Sequence, residues 1–125
     1  ESTRELMIMK NFLFVLTASV LLTACATGSK VTPLYYWGGF ESLQYQSLDD
    51  AKSVSDQVTK MEQYFTEAQA KGLKPAPGSY AHLGMLYAKV GQADAAKKYL
   101  ELEKNSYPES ANYIDFVIKN MKVGQ

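Results

Sequence analysis

Residues 77–108 read P-G-S-Y-A-H-L-G-M-L-Y-A-K-V-G-Q-A-D-A-A-K-K-Y-L-E-L-E-K-N-S-Y-P. Tyr80, Leu83, Gly84 and Tyr87 recur at i, i+3, i+4 and i+7, which places all four on one face of a helix. Gly91 is positioned to end that helix in a left-handed conformation, and Ala93, Ala96 and Leu100 then lay down the facing stripe of a second helix. Gly84 and Ala96 are small enough to let two antiparallel backbones approach closely, with Tyr80, Tyr87 and Leu100 filling the flanks.

The neighbouring segments extend the helical pattern. Upstream, Leu48, Ala51, Val54, Val58, Met61, Phe65 and Ala68 step by threes and fours, with Asp49 and Asp50 as an acidic start and Lys71-Gly72 as a stop. Before them, P-L-Y-Y-W-G-G-F-E-S-L-Q-Y is rich in aromatics. Trp37, Phe40 and Leu43 share a face with Tyr36 beside them, although Gly38-Gly39 lowers helix propensity. Downstream, Pro108 suits a first helical turn, and Ile114, Val117, Ile118 and Met121 form a stripe flanked by Tyr113 and Phe116. The expectation is an all-α domain of about five helices over residues 35–122, arranged as antiparallel hairpins with one closing helix.

The spacing of Tyr80, Leu83-Gly84, Tyr87, Ala96, Leu100 and Pro108 resembles the tetratricopeptide repeat, which implies stacked helix hairpins. The departure is Glu103, where that repeat usually carries an alanine packed on the next unit. An unpaired buried charge is costly, so Glu103 is expected at an exposed edge. Such arrays normally need about three units for a continuous core, and this chain has room for about two and a half, so its aromatics or a partner must supply the remainder.

The single cysteine, Cys25, follows M-K-N-F-L-F-V-L-T-A-S-V-L-L-T-A. Lys10 is a positive flank, and residues 12–22 are an apolar core of eleven residues, shorter than the roughly 20 needed to span a bilayer but suited to an export signal. Leu22-Thr23-Ala24-Cys25 resembles the lipobox of bacterial lipoproteins. That resemblance implies cleavage before Cys25, a diacylglycerol on its thiol and an acyl chain on the freed amine. Several acyl chains hold where one is marginal, because each buried methylene contributes about 0.8 kcal/mol. Residues 1–24 are therefore read as a signal peptide, and residues 25–34, small and polar at first, as a lipidated tether. The mixed charges of Glu1, Arg4 and Glu5 are unusual before an export signal and suggest a translation start at Met9 or Met7. Ala26, in place of the aspartate that favours inner-membrane retention in this class, resembles outer-membrane cargo.

Y-W-G-G-F, P-G-S-Y-A-H-L-G and E-L-E-K-N-S-Y-P-E-S together resemble a family of small proteobacterial lipoproteins defined only as a domain of unknown function. Members are often encoded beside a lipoprotein similar to the curli secretion channel subunit. The resemblance thus implies an envelope complex with other lipoproteins as partners, possessing no catalytic residue to carry over.

Composition excludes little else. Thirteen basic residues balance thirteen acidic ones, leaving no footprint for nucleic acid. The single cysteine forms no internal disulfide framework or Cys/His zinc pattern, and His82, the only histidine, has no nucleophile or ligand at a familiar spacing and is expected on a helix surface. The acidic pairs Asp49/Asp50 and Glu101/Glu103 point apart on a helix or serve as caps. The expected protein is no enzyme and carries no cofactor or small-molecule substrate. It acts as a periplasmic scaffold or accessory subunit on the outer membrane, with a partner surface around Trp37, Phe40, Glu103 and Lys104. A pilotin-like escort of a secretion channel is the alternative, and a peptidoglycan hydrolase a more distant one. Intact-mass measurement of the mature protein should show acyl mass at Cys25, and Cys25→Ser should abolish both that mass and firm membrane association.

Overall fold

The computed structural model describes residues 2–22, 31–49 and 51–121. Cys25, most of the tether and Asp50 lie outside the described residues. The chain divides into two units, one running to Thr32 and the other starting at Pro33. In the first, α1 (Ser2–Leu22) runs unbroken from the mixed-charge prelude into the apolar core. Leu6, Met9, Phe12 and Leu13 on it are exposed. Among the described residues no helix is long and apolar enough to cross a membrane.

The second unit contains β1 (Tyr35–Tyr36), α2 (Phe40–Gln46), α3 (Val54–Ala70), β2 (Lys74–Pro75), α4 (Ser79–Lys89), α5 (Ala93–Ser106), a 3-10 turn (Pro108–Ser110) and α6 (Ala111–Asn120). The fold is all-α, with five described α-helices in this unit, as the periodicities implied. An addition invisible to those periodicities is the parallel bridge between β1 and β2, with Tyr35 opposite Lys74 and Tyr36 opposite Pro75.

The start of α3 differs from the expectation. It begins at Val54, not near Leu48, because Ser53 takes the N-cap: its hydroxyl accepts the Asp56 amide at 3.4 Å, and Asp56 adds a carboxylate to the first turn. Residues 47–49 instead tail off the end of α2, where the amides of Ser47, Leu48 and Asp49 donate to Gln44, Tyr45 and Gln46. Asp49 turns the chain, its Oδ1 accepting the Ala51 amide at 3.0 Å, and Leu48 is left 77% exposed. α2 starts later than its aromatic cluster for a related reason: Gly39, with φ 78°, is the N-cap, so Tyr36 and Trp37 precede the helix.

Both long helix ends close alike. After α3, the Leu73 amide donates to Ala68 and that of Gly72 to Gln69. After α4, Gln92 donates to Tyr87 and Gly91 to Ala88. These are the paired bonds of a Schellman motif, which needs positive φ at its hinge; Gly72 has φ 63° and Gly91 φ 80°.

The α4–α5 hairpin is the tightest joint in the unit. A Cβ on Gly84 would lie 3.0 Å from the Ala96 carbonyl oxygen and 3.0 Å from Leu100 Cγ, so the backbones meet at a glycine as the spacing predicted. Leu83, Ala96 and Leu100 are fully buried there, and Ile114 carries the core into α6. Each such aliphatic residue larger than alanine contributes about 1.5–3 kcal/mol by leaving water. Gly84→Val should therefore force the hairpin apart. The expected loss is about 1–3 kcal/mol, read as a Tm drop of roughly 4–8 °C per kcal/mol in thermal unfolding.

Candidate functional site

Four residues were expected to form the partner surface, and the fold separates them. Phe40 is 1% exposed, its ring packed on Tyr64 at 5.6 Å and edge-on to His82 at 5.9 Å. Trp37, three residues earlier, is 46% exposed. Lys104 reaches across to α6, with Nζ 2.7 Å from Asp115 and 3.6 Å from Glu101, and this pairing holds its pKa above the usual lysine range, the Asp115 bond being the main cause.

Glu103 corrects the sequence expectation of an exposed edge: it is 2% exposed. The start of α4 explains why. Gly78 is its N-cap and has no side chain to satisfy the first amides. Glu103, projecting from α5, supplies the missing acceptor. Its Oε1 takes the Gly78 amide at 2.7 Å and its Oε2 the Ala81 amide at 3.3 Å. The carboxylate thus caps a neighbouring helix where the macrodipole favours negative charge. Burial raises its pKa, while the Gly78, Ala81 and Tyr80 amides oppose the rise. The sequence signalled only that a glutamate stands where a hairpin seam wants alanine.

A complementary device closes α5. Lys74 Nζ donates to the Ser106 carbonyl oxygen at 2.8 Å and lies 4.2 Å over the Tyr107 ring. Tyr107 itself is buried and donates its hydroxyl to the Pro75 carbonyl. His82, expected on a helix surface, is instead half-buried against Phe40, and burial lowers its pKa, with Lys89 adding to the effect. Among the described residues, no group of three or more His, Cys, Asp or Glu is arranged to hold a metal ion.

One open feature of this unit is a groove of about 390 Å³ between α3, α4 and α5, lined by Phe65, Gln69, Leu73, Pro75, Tyr80 and Tyr99. Phe65 and Tyr80 stack at 4.6 Å with planes 10° apart, and Tyr99 continues the stack onto Tyr87 at 5.4 Å. Tyr87 is held from below, its hydroxyl donating to Glu62, which with burial raises its pKa to about 12. The hydroxyls of Tyr80 and Tyr99 have no hydrogen-bond partner among the described residues, and both rings are half-buried. The arrangement sets a stacked aromatic cluster beside unbonded hydroxyls and the exposed Gln69 amide. Sequence reading had assigned Phe65 and Tyr80 to packing. Their groove was signalled only by aromatic residues falling on three successive helices.

A family model described as Domain of unknown function (DUF4810) matches residues 34–117. The chain belongs to the DUF4810 family. The DUF4810 match takes in β1 through most of α6, including the groove and Glu103, and leaves out α1 and Cys25. No curated protein and no solved structure matches the chain.

Glu103 gives the DUF4810 unit a definite pH signature. A pKa raised on folding means that the folded state binds the proton more tightly, so this contribution is fully present below the ordinary 4.5 and is lost as pH rises through the raised value. Denaturant unfolding from pH 4.5 upward should show the wild type losing stability relative to Glu103→Gln. Glu103→Ala, which removes the cap and opens a cavity, should cost about 2–4 kcal/mol.

Proposed function

We propose that this protein is a lipoprotein of the bacterial outer membrane, anchored at Cys25 on the periplasmic face, and that its helical unit is a scaffold or accessory subunit of an envelope complex. Cys25 in L-T-A-C supports the anchoring half, and Ala26 after it supports the outer-membrane address. The observation that carries the binding half is the aromatic groove, which Phe65, Tyr80 and Tyr99 line and where the Tyr80 and Tyr99 hydroxyls have no hydrogen-bond partner among the described residues. Lipid anchoring confines the groove to the bilayer and raises its effective concentration for membrane-bound proteins, including a curli-secretion-channel-like subunit. Trp37 faces solvent and Lys104 is paired with Asp115, whereas Phe40 and Glu103 act from within the core.

Gln69 is exposed on the groove rim, so Gln69→Arg obstructs the groove without touching the core. In detergent pull-downs from native membranes, wild type should recover a stable lipoprotein partner, and Gln69→Arg should reduce that recovery by about tenfold, corresponding to about 1.4 kcal/mol, with Tm unchanged. Equal recovery by both proteins would remove the groove from the interaction.

A further inference from the structure

From Val31 to Phe40 the chain carries no charged side chain, the next charge being Glu41. Within this stretch Leu34 is 76% exposed and Trp37 46% exposed. Trp37 is not loose. Tyr36 before it is 8% exposed and Phe40 after it 1%, and the Phe40 amide donates to the Trp37 carbonyl at 2.6 Å across the Gly38-Gly39 turn. Two buried neighbours and a closed turn thus hold an indole on the outside of the domain. Its ring N–H has no acceptor among the described residues.

We propose that Leu34 and Trp37 form a lipid-contacting foot that docks the helical unit on the bilayer surface. The inference rests on the reading that Cys25 is acylated. Leu34 lies nine residues beyond Cys25 and Trp37 twelve, so at about 3.3–3.6 Å per residue neither is able to leave the neighbourhood of the membrane. The bilayer is therefore the one partner that is permanently within reach. The chemistry fits that partner. A tryptophan with an apolar body and a free N–H donor suits the boundary between acyl chains and headgroups, and a leucine suits the layer beneath. An uncharged connecting segment avoids the cost of bringing a charge to that boundary. With the acyl chains already holding the protein, the foot need contribute only orientation: it fixes which side of the helix stack faces the membrane.

Trp37 is the only tryptophan, so its emission reports the foot directly. The experiment reconstitutes the full, acylated protein, verified by intact mass, into phosphatidylcholine vesicles with or without lipid brominated high on the acyl chain. Expected are a blue-shifted Trp37 emission, several-fold stronger quenching by the brominated lipid than by aqueous iodide, and a several-fold loss of lipid quenching in acylated Leu34→Asp of unchanged circular dichroism. Vesicle-bound, acylated protein whose Trp37 is quenched by iodide and not by brominated lipid overturns the foot while leaving the anchor intact. So does protection from iodide that appears only when an envelope protein is added, which would assign Trp37 to a protein contact. Absence of acyl mass overturns the anchor and the foot together.

Discussion

The Tyr64 hydroxyl holds three segments of the helical unit in place. It donates to the Tyr36 carbonyl oxygen at 2.5 Å and accepts the Ala76 amide at 2.8 Å, while its ring stacks on Tyr36 at 5.3 Å and packs on Phe40. One buried side chain on α3 thereby fixes β1 and the residue that follows β2. The constraint passes on along the chain: the Ala76 carbonyl accepts the Ser79 hydroxyl at 2.6 Å, which fixes the first turn of α4, and that turn presents its amides to Glu103 on α5. Leaving either backbone group unpaired in this interior costs about 1–3 kcal/mol, a substantial fraction of a small domain's stability.

Polar groups in this fold matter in proportion to their burial. The Lys104–Asp115 pair is short but exposed, and such pairs contribute little once salt screens them. Glu103 is different. It has no cationic partner among the described residues, and the backbone amides of another helix offset its removal from water. A helix starting on glycine and a carboxylate starting from the next helix are each unfavourable alone and compatible together. Lys74 on the Ser106 carbonyl does the converse at the carboxyl end of α5, so these two helix ends are satisfied by side chains from other elements.

The parts of this architecture set by local sequence were legible. Gly91 as a hinge, Gly84 as the closest approach and the apolar stripes of α4, α5 and α6 follow from spacing and side-chain volume alone. The beginning of α3 was not, because Ser53 and the Asp49 turn compete with a stripe of apolar residues that continues past the true helix end. The two-residue bridge carries no periodicity to detect. Glu103 was misplaced because an edge position and a cap position are indistinguishable until the partner helix is seen. Of the groove the sequence showed only aromatic residues on three successive helices, because Phe65, Tyr80 and Tyr99 each fit a packing stripe until the helices bring them together.

The bridge between β1 and β2 has a mechanical consequence. Tension arriving from the amino-terminal side travels through Leu34 into Tyr35 and Tyr36 before any helix of the unit is loaded. Tyr36 is gripped at its carbonyl by Tyr64, and its hydroxyl donates to Glu67 at 2.5 Å, both on α3. A pull on the leash is thus shared at once with the longest helix of the unit, and α2, with its seven residues, is bypassed rather than unwound.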